Sequence, residues 1–214
     1  MNLDARRYAD ATQRNRQPIL EILQRILPPE GNILEISSGT GQHAVFFAAE
    51  LVNHDWYPSD PDPLSRDSIA AWRNHHPSDN LHDPLDIDAM TSCWAIENEK
   101  ISIDAITQCQ AFCLIANINM IHISPWKACL GLMAGANRLL SAGGILYLYG
   151  PYKRNGQHIS PSNEMFDRSL RSRNFQWGVR NLEDVVAIAE SEDLELQEVV
   201  AMPANNLSVI FRKQ

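Results

Sequence analysis

The sequence predicts an α/β fold with a mostly parallel sheet and helices on both faces, and three observations carry that prediction. Residues 31 to 51 read as strand, small-residue turn and helix: Ile33, Leu34 and Ile36, then Ser37, Ser38, Gly39, Thr40 and Gly41, then Ala44 to Leu51. The run 111–118, A-F-C-L-I-A-N-I, is almost continuously apolar, as suits the centre of a parallel sheet. The C-terminal V-V-A-M-P-A-N-N-L-S-V-I-F reads as two strands turning at Pro203 to Asn205, an antiparallel hairpin that closes the sheet. In open α/β sheets the strand–turn–helix unit binds nucleotides. Small residues let the backbone approach the ligand, and the helix N-terminus offers it free N–H groups.

Length and composition bound the rest. With 214 residues, a single domain over 1–214 with a sizeable core is the simplest reading. Hydrophobic residues at 44% and charged residues at 21% fit a globular chain, and no window is apolar enough to cross a bilayer. M-N-L-D-A-R-R-Y lacks the apolar core of a signal peptide, so a cytoplasmic location is expected. A formal net charge of −8 disfavours a nucleic-acid footprint, and Arg168, Arg171, Arg173 and Arg180 read as a solvated helix face. Cys93, Cys109, Cys113 and Cys129 have no zinc-site spacing, so free thiols and no metal are expected.

In chain order, 1–30 is an N-terminal helical region. Its helix is expected over 17–27, where Ile19, Leu20, Ile22, Leu23, Ile26 and Leu27 keep helical spacing and Pro18 suits the first turn. A strand at 33–37 leads into the loop and its helix, and H-D-W-Y-P (54–58) reads as the second strand. Asp60 follows 19 residues after Gly41, the distance at which a carboxylate meets ribose hydroxyls. A helix over 65–74 and a short third strand over 80–85 bring the chain to Asp86 and Asp88. Asn117, Asn119 and His122 lie at the carboxyl end of the central strand, where ligand crevices form. A helix at 126–140 and a strand at 145–149 follow. The stretch 152–181 is polar and irregular, with a short helix possible over 163–173, and its composition suits a substrate lid. Asn181 is expected to cap the last helix.

The segment E-I-S-S-G-T-G (35–41) resembles the first motif of class I S-adenosylmethionine (SAM)-dependent methyltransferases, an acid followed by alternating glycines, with Ser37 where the first glycine is expected. Longer stretches, R-N-R-Q-P-I-L (14–20), Leu34 to His43, Asn117 to Trp126, G-P-Y-K (150–153) and Gly156 to Asn163, resemble the methyltransferase-like 26 family. The resemblance implies a Rossmann-like class I methyltransferase fold with a seven-stranded, mostly parallel sheet and an antiparallel C-terminal hairpin strand. It implies S-adenosyl-L-methionine as cofactor, with Glu35 behind the loop toward the methionine amino group or the loop amides. Ser37, Gly39 and Gly41 would form the loop, Asp60 would take the ribose hydroxyls and Asp86 the adenine edge, and Asn117 and Asn119 would face the methyl-transfer mouth. His122 and Tyr152 are the candidate bases or orienting groups, and His158 is a third.

The expected reaction is methyl transfer to a small molecule or a protein side chain. The absence of an N-P-P-Y or D-P-P-Y tetrapeptide after the central strand tells against methylation of bases or glutamine. Two other readings stay open: a non-catalytic SAM-binding or scaffold protein, for which Ser37 speaks, and a nicotinamide-dependent oxidoreductase, since Ala44 can stand at the third glycine position.

Overall fold

A computed structural model describes residues 4–97 and 112–214. The main sheet has six strands: β1 (Gly31–Ile36), β2 (His54–Pro58), β3 (Phe112–Ile118), β4 (Leu140–Gly150), β8 (Leu194–Met202) and β9 (Asn206–Lys213), in the order β2-β1-β3-β4-β9-β8. β1 and β2 run parallel, while β9 is antiparallel to both β4 and β8. The chain groups into two compact units, Met1–Asp88 with Cys93–Ala116, and Ala89–Ser92 with Asn117–Gln214; β3 passes from the first into the second.

In the first unit every residue of β1 after Gly31 is buried. Successive strand residues point to opposite faces, so both faces of β1 are covered. The helices of this unit are α1 (Asp10–Ile26), α2 (Gln42–Glu50) and α3 (Pro63–His75). α3 starts where Asp62 accepts the Leu64 N–H at 3.1 Å, with Pro63 in the first turn. α1 begins seven residues earlier than periodicity suggests, which places Pro18 inside the helix rather than in its first turn. Its buried positions include Thr12 and Asn15, polar residues on the inward face, so apolar periodicity understates its length.

The third strand expected over 80–85 is not a ladder strand among the described residues. Its backbone pairs with β2 through two isolated parallel bridges, Trp56 with Leu81 and Ser59 with Leu85. Pro58 and Pro84 both lack the N–H a continuous ladder would need, so the hydrogen bonds fall in two separate groups. Among the described residues six strands therefore stand in the main sheet instead of seven. Over 88–97 the chain makes turns and one 3₁₀ turn, Ala95–Glu97. Cys109, and Ala111 at the start of the expected strand, lie outside the described residues.

In the second unit Gly144 to Gly150 of β4 are all buried, and Tyr147 Oη meets Ser208 Oγ at 2.7 Å between β4 and β9. α4 (Trp126–Leu139) and α6 (Leu182–Ser191) belong here. The stretch 152–181 is more ordered than its composition suggests. It forms β5 (Tyr152–Arg154), β6 (Gln157–His158), α5 (Pro161–Arg173) and β7 (Arg180–Asn181), with the strands in a small sheet ordered β6-β5-β7. Ser160 caps α5 by accepting the Asn163 N–H at 3.2 Å. Asn181 stands at the N-cap position of α6, but its side chain accepts the Gly156 N–H at 2.9 Å and leaves the cap unmade. No described helix is long and apolar enough to cross a membrane.

Candidate functional site

The loop after β1 is lashed to the end of β2. The Ser38 N–H donates to the Ser59 carbonyl at 2.7 Å and the Ser59 N–H donates to Ser38 Oγ at 3.1 Å. Ser59 Oγ donates to the Glu35 carbonyl at 2.7 Å. The Gly39 N–H then donates to Asp60 Oδ2 at 2.9 Å, and the Asp62 N–H to Asp60 Oδ1 at 3.0 Å. Asp60 is thereby fixed by two backbone donors, one from each of the segments it joins, and each carboxylate oxygen keeps a further lone pair. Burial pushes its pKa up against those donors.

The two glycines of this turn serve different ends. A Cβ on Gly39, at φ +58°, would meet nothing within 4 Å, so the loop presents bare backbone to open space there. A Cβ on Gly41, at φ +85°, would lie 2.7 Å from the Ile69 Cα, so this glycine is required by the packing of α3 rather than by a ligand. Ser37, at φ 59°, holds a left-handed conformation that glycine adopts without cost. Ser37→Gly is expected to stabilise the chain by about 1 kcal/mol, read as a higher urea midpoint at unchanged slope; an unchanged or lower midpoint would show that the serine is not strained.

Glu35 lies near the end of β1, where its carboxylate engages the Ser38 side chain of the loop. Its carboxylate is 1% exposed and accepts the Trp56 indole N–H at 3.0 Å, and the Gly39 amide goes to Asp60 instead. Burial raises the Glu35 pKa to about 7. Asp86, assigned to an adenine edge, is exposed and pairs with Arg66 at 3.1 Å. Arg66 also donates to the carbonyls of Asp60 and Pro61, at 2.8 and 2.9 Å. This arginine joins the two predicted acids, and nothing in its sequence context, an ordinary position in the first turns of α3, marks it.

The remaining predicted residues lie in the second unit. Asn117 is buried at the end of β3. Asn119 takes φ 67°, a left-handed conformation that asparagine tolerates, donates its N–H to the Tyr149 carbonyl at 2.8 Å and accepts the His122 N–H at 3.1 Å. His122 and Tyr152 come together as an edge-to-face pair with ring centroids 5.0 Å apart. Both are fully buried. Neither His122 ring nitrogen nor the Tyr152 hydroxyl meets a polar partner among the described residues. Burial, with Arg180 adding to it, lowers the His122 pKa to about 3, and burial holds the Tyr152 phenol well above its ordinary 10. In this conformation His122 is a neutral imidazole of low basicity and Tyr152 a neutral phenol. His158 is placed elsewhere, with Nε2 3.3 Å from Asp167 Oδ2.

The family described as protein of unknown function (DUF938) matches residues 6–213. Among solved structures, the chain is similar to an O-methyltransferase family protein from Burkholderia thailandensis, with a TM-score of 0.75, 11% identity, and 96% of this chain and 58% of that chain covered. It is similar to human N-acetylserotonin methyltransferase in complex with SAM, with a TM-score of 0.72, 12% identity, and coverage of 95% and 53%. It is also similar to an O-methyltransferase family 2 protein from Planctomyces limnophilus in complex with apigenin, with a TM-score of 0.68, 14% identity, and coverage of 93% and 62%. The chain thus has the Rossmann-like α/β fold of class I methyltransferases, and it spans little more than half the length of these proteins.

Proposed function

We propose, for a chain that belongs to the DUF938 family of proteins of unknown function, that it is a SAM-dependent methyltransferase acting on a small molecule or a protein side chain. One observation carries this reading: the Gly39 backbone, open above its Cα, is held by the same Asp60 carboxylate whose free lone pairs suit a ribose diol. The residues present fit the cofactor, because the loop is pre-ordered by Ser38 and Ser59 and needs no rearrangement to offer bare backbone. Bound SAM would supply a methyl group already activated on a sulfonium, so the protein's part is alignment and, for a weak nucleophile, a base. Asp60 would hold the ribose hydroxyls. Gly39 would let the ligand approach the main chain. Glu35 would keep the loop's floor in place through Trp56. The stretches at 14–20, 34–43 and 117–126 support the methyltransferase-like 26 family as the subgroup.

Calorimetry on the full chain with SAM and S-adenosylhomocysteine tests the reading. Micromolar binding is expected, weakened roughly 10- to 100-fold by Asp60→Ala, the loss of charge-assisted hydrogen bonds to a bound diol. If neither compound binds the wild-type chain, the proposal fails. The complete burial of His122 and Tyr152 favours, as a second reading, a SAM-binding protein without turnover. Binding combined with no methyl transfer across a broad panel of metabolites and peptides would select it.

A further inference from the structure

We propose that the second unit carries a binding cleft for a small molecule bearing a carboxylate or a phosphate group. A cleft of about 480 Å³ is bounded by Trp126, Lys153, Arg171, Arg180, Asn181 and Asp184 among others. Three of these six are cationic, in a chain whose formal net charge is −8.

Two of the three cations, Lys153 and Arg171, are held in place by a single acid. Asp167 is 6% exposed and accepts the Val179 N–H at 2.7 Å. The same carboxylate meets Lys153 Nζ at 3.2 Å, His158 Nε2 at 3.3 Å and Arg171 Nε at 3.2 Å. One negative charge therefore orders two permanent cations and a histidine. Gly178 makes room for this arrangement: a Cβ there would lie 2.7 Å from Asp167 Oδ1 and 2.9 Å from an Arg171 terminal nitrogen. Arg180 is spent on main-chain carbonyls, donating to Ile121 at 2.8 Å and to Ser124 at 2.6 Å, and lies over the Trp126 ring at 5.5 Å. These contacts are to neutral main-chain oxygens and a ring, and no carboxylate is among them. Burial acts most strongly against its cationic form and Arg171 adds to that, while Asp167 acts in its favour.

The balance decides the ligand. Lys153, Arg171 and Arg180 contribute three positive charges, Asp167 offsets one, and Asp184 on the exposed edge offsets a second. The surplus is positive, two of the cations are pre-ordered by a buried acid, and Arg fork geometry matches the oxygens of carboxylate or phosphate. A pre-ordered cation pays less side-chain entropy on meeting an anion than a free surface lysine does.

The inference does not depend on methyl transfer, and its test needs no SAM. The thermal midpoint of the full chain is followed while sodium phosphate, and in a second arm sodium acetate, is added at ionic strength held constant with sodium chloride. Saturable stabilisation is expected in the phosphate arm, the acetate arm, or both, and the responding arm identifies the ligand group. Arg171→Gln should require roughly tenfold more anion for half-saturation, the loss of one charge-assisted hydrogen bond. Asp184→Asn, on the exposed edge, should require less anion than wild type. Stabilisation matched by chloride alone, or titrations of Arg171→Gln that overlay wild type, would overturn the proposal. If Arg171→Gln does not fold, Asp184→Asn decides: an unshifted titration counts against the cleft.

Discussion

Replacing Gly131 by alanine is expected to cost at least about 3 kcal/mol of stability, although the same change inside an exposed helix usually gains up to about 1 kcal/mol. Gly131 lies in the middle of α4, and a Cβ built on it would stand 1.8 Å from the Ala89 carbonyl oxygen and 2.9 Å from the Ala89 carbonyl carbon. Those are main-chain atoms, so no side-chain rotation relieves the overlap. Either 89–90 leaves the helix or α4 shifts, and Ala89 is 4% exposed, so both routes open a packed region. Urea unfolding at neutral pH measures the effect. A neutral or stabilising outcome would mean that 89–90 does not pack on α4 through this glycine.

Acidification from pH 8 to pH 5 is expected to lower stability, because the buried histidines outweigh the buried glutamate. Burial lowers the pKa of both His43 and His122 from 6.5 to about 3. Below 6.5 the unfolded chain takes up protons that the folded chain refuses, so stability falls as pH drops toward 3. Glu35 acts in the opposite sense. Its pKa rises from 4.5 to about 7, so the folded chain is protonated first, and this contribution is present below 4.5 and lost as pH rises through 7. At pH 5 the two histidines together cost about 4 kcal/mol and Glu35 returns about 2.5, leaving a net loss of about 1.5 kcal/mol from these three groups. His43→Gln should remove about 2 kcal/mol of the loss, turning it into a slight gain, and Glu35→Gln should deepen it by about 2.5 kcal/mol. Comparing each variant with wild type at both pH values cancels the other titrating groups, and two variants that run parallel to wild type would refute the assignment.

The fold was legible where its cause is local. Small residues over 37–41, the apolar run of β3 and the turn at 203–205 each determine their element within a few residues. The first two turns of α1 carry no apolar periodicity because its inward face there holds Thr12 and Asn15; the Asn15 amide oxygen meets His43 Nε2 at 2.8 Å, a long-range bond that leaves no periodic trace. The segment 80–85 looks like a strand by itself, and only Pro58 and Pro84 together, facing across the ladder, interrupt it. Asp60 was placed by spacing alone, while its partner Arg66 was invisible because an arginine in a helix looks the same with or without a carbonyl to hold. In the same way, 168–180 showed its arginines plainly. Asp167 gains its meaning from Lys153 and His158, which lie 14 and 9 residues earlier and reach it only through the folded hairpin of β5 and β6.

Trp56 gives the loop an optical label of its own. Its indole is fully buried, tilted against the Phe47 ring at 5.3 Å, and its N–H rests on the Glu35 carboxylate. The excited state of an indole redistributes charge over the ring, so a full negative charge at hydrogen-bond distance in a low-dielectric interior changes its emission. The chain has five tryptophans, and the component that tracks Glu35 ionisation belongs to the one that touches it. The electrostatic state of the loop's floor can therefore be followed in unlabelled protein, by fluorescence lifetime, as pH or ligand changes.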